Sequence, residues 1–565
     1  MADESVRSLS RRTWMERLSA PAAASLAGGA FAGSGWAPQL HAAAPSSDEN
    51  AGARVYNVRS FGAKGDAKTL DTSAVQAAID ACHRDRGGTV LIPAGDFVVG
   101  TVELKSNVTL HLAAAGRLLG SARAGDYTAG KGVPPGNGNQ VLLYAAGAEN
   151  VTLEGRGTVD GQGAKFYTGH GDNTGPGQNR AAGYIARPHL TIFYKCRNLL
   201  IRDAFFTQSA YHCMRILKCR YVRLDGVRIH NRVNVNNDGF HIVSSEYVNI
   251  SNCNVACQDD ACALFGGNKF VTVTNCTFST RWSVFRFGGG EAENITVSNC
   301  VIYDTYGCPI KMRCGAGSRI ENVAFSNLVM TNVTGPISVG LDSKPRGKNA
   351  GRDAQRPHGI VRNLQFNGIR AHVVSTGRQF SDMAFPSRFR PGETRTCIAL
   401  NGVRDEFLEE IAFSDVHVTY GGGGTAQEAA RRDIPQMAGE YFELGTLPSY
   451  GLYARNVRGL SLTGVRFDFV APDLRPAVVF DGVRDAAING LSAQVDRDAE
   501  SVFRFIDTQD ALLTACRILT PAATFLRVEG ASSAGIVIDG GDLSKAESPL
   551  SFGSGAAPET AKVRG

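Results

Sequence analysis

Three carboxylates carry the chemistry this sequence can offer. Asp238 stands in Asn236-Asn237-Asp238-Gly239, and Asp259 and Asp260 are adjacent in Gln258-Asp259-Asp260. Asp238 and Asp259 are 21 residues apart. If the chain repeats at about that interval, all three stack on one outer face. Three like charges within several ångströms cannot all ionise cheaply. At least one pKa then rises, leaving a protonated acid beside an ionised base. That pairing is the equipment for breaking a glycosidic bond. The plainer alternative is three aspartates at solvated turns, where Asp is common.

A repeat of the right length is present. Its unit is a polar or small residue, an apolar-x-apolar triplet and a turn signal, as in Asn198-Leu-Leu-Ile201, Tyr221-Val-Arg-Leu224, Tyr247-Val-Asn-Ile250, Phe270-Val-Thr-Val273 and Asn294-Ile-Thr-Val297. The same quartet begins at Asn107, Asn150, Asn322, Asn363, Glu410, Gly459, Asp485, Asp510 and Gly535. Successive units end 23, 26, 23, 24 and 28 residues apart from Ile201 to Phe325, and 26, 25 and 25 apart from Leu462 to Ile538. Between Phe325 and Leu462 the steps widen to 41, 47 and 49, so those turns carry long loops or conceal an extra coil. Alternating apolar positions indicate strands with one inward face. Strands returning in one direction at a constant interval stack as parallel coils, each adding about 4.8 Å. Residues 53–543 are therefore expected to form one all-β solenoid, a parallel β-helix. Cys253, Cys276 and Cys300 recur where other repeats carry Ala204, Val227 and Leu328, which marks them as small buried hydrophobes. Asn252, Asn275, Asn299 and Asn327 recur in register, as a side-chain amide ladder at a turn would.

A stack of coils needs covers at its ends. Val75, Ala78, Ile79 and Cys82 fall at helical spacing, and Ser73 with Gln76 forms a capping box. The segment 72–85 is thus expected to be a short helix plugging the N-terminal end. Residues 544–565 are expected to be a flexible tail. Residues 1–52 read as an export signal and linker: Arg11-Arg12 precedes a weakly apolar stretch, and Ala42-Ala43-Ala44 offers small-residue cleavage sites. The alternative is a disordered Ala-rich tail with a chance Arg pair. No segment carries the roughly 18 apolar residues of a membrane span, so a periplasmic or extracellular location is expected. The net charge of +6 is too mild to indicate a nucleic-acid binder and suits an anionic substrate. Thirteen cysteines is an odd number, so at least one is free or pairs between chains, and no spacing suggests zinc.

These residues resemble the polygalacturonase-like glycoside hydrolases, family 28, of the pectin-degrading β-helix superfamily. The opening Val58-Arg-Ser-Phe-Gly-Ala-Lys-Gly-Asp66, then Asp71-Thr72, the helix and Gly87-Gly88-Thr-Val-Leu-Ile-Pro93-Ala-Gly95, is similar to theirs. Asn236-Asn237-Asp238-Gly239-Phe240 is similar to the family's Asn-Thr-Asp-Gly, Gln258-Asp259-Asp260-Ala261 to its Gly-Asp-Asp, and Pro309-Ile310-Lys311 to its Arg-Ile-Lys. The resemblance covers most of residues 56–319. It implies a right-handed coil and an inverting hydrolase without metal or organic cofactor. Asp259 would act as general acid, and Asp238 with Asp260 would hold the attacking water. Lys311 would bind a sugar carboxylate or hydroxyl. The expected partner is a pectin-like, uronic-acid-containing polysaccharide or oligosaccharide, met by a monomer.

The chain also departs from that pattern. The family's Gly-His-Gly should fall one coil beyond the doublet, where Thr280-Arg281-Trp282-Ser283 stands. Arg281 could steady a carboxylate or an acidic sugar, and Trp282 could stack on a sugar ring. Pro309 replaces the arginine of Arg-Ile-Lys, with Arg313 close by as a substitute. His241 occupies the place of an aspartate, where it could bind substrate, re-tune Asp238 or bond within its own turn. Asn236, His241, Arg281, Trp282, Lys311 and Arg313 are the candidate substrate-binding residues. Tyr211, Phe285 and Tyr306 are further candidates for stacking on sugars. Between residues 342 and 395, eleven Lys or Arg face four Asp or Glu, either a solvated face or a lining for uronic or sulfated sugars. Two other readings stand beside the hydrolase. One is a polysaccharide lyase on the same scaffold. The other is a non-catalytic carbohydrate-binding β-helix, motivated by the missing His and Arg.

Overall fold

The computed structural model describes residues 51–134, 140–166, 187–342, 358–377, 380–383, 392–439 and 441–564. The twin arginines and the rest of the proposed export segment lie outside these residues, apart from its last two positions. Each coil contributes strands to two parallel sheets, one of 15 strands and one of 28. The 15-stranded sheet runs from Val102–Glu103 to Ala546–Gly553 and forms one long face of the solenoid. A single apolar cluster runs up the interior from Tyr56 to Ala561. Among the described residues no helix is long and apolar enough to cross a membrane.

The repeat seen in the sequence has a backbone cause. The first residue of all fourteen quartets adopts the left-handed conformation, with φ between 53° and 71°. Asn, Asp and Gly tolerate that region best, which is why most quartets open with one of them. Tyr221, Tyr247 and Phe270 do so against their intrinsic preference. Their rings stack on one another at 5.0 Å, so packing between coils offsets the local strain. Asn ladders run through the same column: Asn150 donates to Asn107 and Asn198 to Asn150, at 2.8 and 2.7 Å. In the second expected ladder Asn327 donates to Asn299, whereas Asn252 donates to Asp225.

The widened steps hold loops and no extra coil. Strand Arg319–Val333 pairs directly with Ile360–Val373, that strand with Leu408–Tyr420, and the last with Val457–Thr463. At the far end the expected flexible tail is a correction. Ala546–Gly553 pairs with Ala522–Glu529 and Ala561–Arg564 with Ala534–Asp539, so the chain completes one more coil.

Helix Thr72–Arg84 plugs the N-terminal end and buries Ala74, Val75, Ala78, Ile79 and Cys82. Its cap differs from the expected Ser73–Gln76 box. The N-cap is Asp71, whose carboxylate accepts instead from the backbone N–H of Lys64 and Gly65. Gln76 donates to Asp80 and exchanges hydrogen bonds with the backbone of Glu103, tying the helix to the first coil.

All thirteen cysteines are buried free thiols. Cys253, Cys276 and Cys300 stack in successive coils, and the hydrogen bond to Cys253, opposed by Cys300 and reinforced by burial, raises the pKa of Cys276 to about 12. Dithiothreitol is therefore expected to leave the Tm unchanged. A drop of several degrees on reduction would reveal a cross-link and contradict this arrangement.

Candidate active site

Strand register fixes which residues meet on the outer face. In the 15-stranded sheet, Met214 pairs with Phe240, Phe240 with Cys262 and Cys262 with Phe285. Counting back two residues puts His212 opposite Asp238, and Asp238 opposite Asp260. The interval between facing carboxylates is thus 22 residues, Asp238 to Asp260, one more than the 21 that separates Asp238 from Asp259. Asp259 instead faces Asn237, and its backbone N–H donates to the Asn237 carbonyl at 3.1 Å.

The turn that presents Asp238 is pinned from within. Asn237 is fully buried; its side chain accepts from the N–H of Val233 and Asn234 and donates to the carbonyls of Ser209 and Tyr211. Asn236, in the left-handed region, donates to Asp259 at 3.2 Å and accepts from Arg187. The Asp260 N–H closes on the Asp259 carboxylate at 3.0 Å, and Ser283 N–H reaches Asp260 at 3.4 Å. Asp238 is 4% exposed, and its carboxylate lies 2.5 Å from His241 Nδ1 and 3.9 Å from His212 Nε2. The Asp238–His241 contact is of hydrogen-bond length, and the His212 and His241 imidazoles stack at 4.3 Å.

Burial raises the pKa of Asp238 well above the ordinary carboxylate value; Asp260 adds to this and Arg215 opposes it. Burial likewise raises Asp259, reinforced by Asp238 and Asp260 and countered by Asn236 and Lys311. His241 is held down to about 3, mainly by burial and then by Arg215, so its imidazole is neutral. Burial also keeps His212 well below its usual value. The expected acid with a raised pKa is therefore present in two places.

A cationic row crosses the same face. One residue per coil points outward in the order Arg215, His241, Ala263, Arg286, Lys311. Burial pushes the Lys311 pKa well down, and Arg286 and Arg313 push it further. Arg215 and Arg286 were not anticipated, although strand parity marks both positions as outward. His212 was missed too, though one coil back from Asp238 leads to it.

Other expected binders sit elsewhere. Arg281 is 2% exposed and pairs with Glu393 at 3.0 Å, which corrects its assignment to substrate. Trp282 is half-buried, with the Arg281 guanidinium 5.1 Å from its ring. Arg313 forms an ion pair with Glu443. Phe285 is wholly in the core, Tyr306 is buried against Phe380, and Tyr211 packs on His189 and His212, so none presents an open ring face.

His212, Asp238 and His241 offer three donor atoms within 4.8 Å of one another, a set a divalent ion could use. The 2.5 Å contact between two of them is shorter than the roughly 3.3 Å that separates ligands on one tetrahedral zinc. The side chains are engaged with each other by a hydrogen bond.

A parallel β-helix with clustered acids and flanking cations on one face defines a solenoid enzyme of carbohydrate chemistry. The chain belongs to the glycosyl hydrolases family 28, whose sequence profile matches residues 82–381, and it is a glycoside hydrolase. It is 26% identical over 341 residues to an exopolygalacturonase of Platanus acerifolia, covering 57% of this chain and 84% of that one. It is 27% identical over 337 residues to an exo-poly-alpha-D-galacturonosidase of Dickeya chrysanthemi, where the match spans 50% of this chain and 56% of the relative. Among solved structures, a hyperthermoactive exopolygalacturonase from Thermotoga maritima superposes with a TM-score of 0.50 at 19% identity, over 65% of this chain and 87% of that one. That likeness supports the fold.

Proposed function

We propose that the protein is an exported, inverting hydrolase of α-linked, uronic-acid-containing glycans of the pectin type. The observation that carries this reading is the group Asp238, Asp259 and Asp260, lying between Arg215 on one side and Arg286 and Lys311 on the other. Asp259, with its pKa raised, donates a proton to the leaving oxygen. Asp238 and Asp260, on facing coils, hold the water that attacks from the opposite side, and one of them takes its proton. The neutral His241 shares a proton with Asp238. This gives the water-activating side an Asp–His pair in place of a further carboxylate. Around Lys311 burial and the guanidinium groups of Arg286 and Arg313 disfavour its charged form, and an arriving sugar carboxylate offsets that repulsion as it binds. Asn236 acts by holding Asp259. Trp282 and Arg313 stand at the margin as candidate contacts.

Reducing-sugar release from polygalacturonate tests the reading, with proton NMR of the first product anomer formed. Hydrolysis with inverted configuration is expected, with no ultraviolet-absorbing unsaturated uronide among the products and no loss on adding EDTA. Unsaturated product that disappears on chelation would select the lyase instead. Binding without bond cleavage across pectic oligosaccharides would select the non-catalytic alternative.

A further inference from the structure

Beyond Lys311 the outer face of the 15-stranded sheet is covered. The row continues through Ser338, Ala399, Tyr453, Val479 and Arg504. Ala399, Tyr453, Val479 and Arg504 are each at most 5% exposed, although they point away from the core. What covers them is the segment 429–439, part of the loop between strands Leu408–Tyr420 and Leu452–Arg455.

The segment is fastened along its length by side chains of the sheet it crosses. Ser338 donates to the Gly439 carbonyl at 2.8 Å, and Asp342 accepts from the Ala438 N–H at 3.0 Å. Asn401 donates to the carbonyls of Pro435 and Met437, and Arg455 to those of Ile434 and Pro435. Arg504 reaches the Ala429 carbonyl at 2.7 Å, and Arg432 pairs with Glu529 at 2.9 Å. Gly340 is where backbone meets sheet: a Cβ there would lie 2.8 Å from Ala438 Cα. Nearer the carboxylates the Glu443–Arg313 ion pair joins the same loop to the strand that carries Lys311. The bonds from Arg455 and Arg504 to backbone carbonyls are charge-assisted, and with the neutral bonds and the ion pair, spread over several coils, they hold the segment flat on the sheet.

We propose that the 429–439 segment is a wall ending the substrate groove one coil past Lys311, so that the protein takes a glycan by one chain end and releases short products. This rests on the glycan-hydrolase reading above. From the coil of Asp260 to the coil of Ser338 is three strand spacings, about 14 Å. That leaves room for one or two sugar rings between the cleavage point and the wall, seated over Arg286 and Lys311. A polymer cannot run through, because its next ring would occupy the place of Ala438 and Gly439.

Two measurements on the full chain test this. Wild-type protein acting on polygalacturonate should release uniform mono- or disaccharide from the first minutes, with little fall in viscosity per bond cleaved. A ladder of intermediate oligomers with early viscosity loss would overturn the wall. Independently of turnover, hexagalacturonate carrying a bulky fluorophore at one end should bind the Asp259→Asn protein at least about tenfold more weakly than the unlabelled sugar. The fluorophore at the other end should change binding less than about twofold. Equal tolerance of both labels would overturn the wall while leaving the hydrolase reading intact. No binding by any uronide would instead remove the substrate reading, and the wall with it.

Discussion

Asp259→Asn is expected to lower kcat on a uronide glycan by roughly 10²–10⁴-fold, the usual worth of a positioned general acid, while making the folded protein more stable. The second half follows from the same electrostatics as the first. Burial and two neighbouring carboxylates raise the pKa of Asp259. A group with a raised folded pKa stabilises the protein at low pH and loses that contribution as pH rises through the folded value. At neutral pH the wild type therefore bears the strain of crowded carboxylates, and the amide relieves it by about 0.5–2 kcal/mol. The advantage should shrink as pH falls from the raised value toward the ordinary carboxylate range, where the wild type is protonated as well. Wild-type activity should fall as pH rises through the same pKa, because the acid loses its proton. Denaturant titrations of both proteins across pH, beside initial rates, check the pair of effects. Undiminished turnover in the variant would remove Asp259 from the acid's role.

Glu393→Ala is expected to cost about 3–5 kcal/mol of stability, because it strips the carboxylate from a guanidinium in the interior. Arg281 and Glu393 are 2% and 1% exposed and bond at 3.0 Å across 112 residues of sequence. Urea unfolding should show the loss directly. If Arg281 served substrate instead, the variant would change KM and leave the unfolding midpoint in place.

That pair also shows where reading the sequence stops. Arg281 sits one coil past the doublet, in the place of a family histidine, and its residue type suits an acidic sugar. Its partner arrives from a loop more than a hundred residues later, and nothing local announces the contact. The solenoid was legible because each coil depends on its neighbours at short, regular intervals, and strand patterns with turn residues express those intervals directly. The quartets were recognised by their apolar triplets, while their first residue proved to be a backbone requirement: φ near +55° at Tyr221, Tyr247 and Phe270 as well as at the asparagines. The last coil was missed because 544–565 lacks a strong triplet; Ala561 is its one well-buried residue in the closing strand. At the site, the aspartates were found by motif and spacing. Arg215, Arg286 and His212 needed strand parity and a one-residue correction of the interval. The wall needed coordinates, since a loop's length says nothing of the direction in which it folds.

The column of left-handed residues gives the solenoid a mechanical character. Many of these residues are tied to neighbouring coils, through a hydrogen bond between side-chain amides or a ring stack, and so behave as links in a zipper. Interior links are clamped twice. At one end the helix Thr72–Arg84 serves as a stop. At the other, strand Ala561–Arg564 pairs with Ala534–Asp539, and three of its four residues are exposed. Local opening that begins in so exposed a strand travels toward the carboxylates one coil at a time. The fastened segment 429–439 ties together strands from several coils and acts as a brake partway along, so the reacting groups lie on the protected side of the molecule.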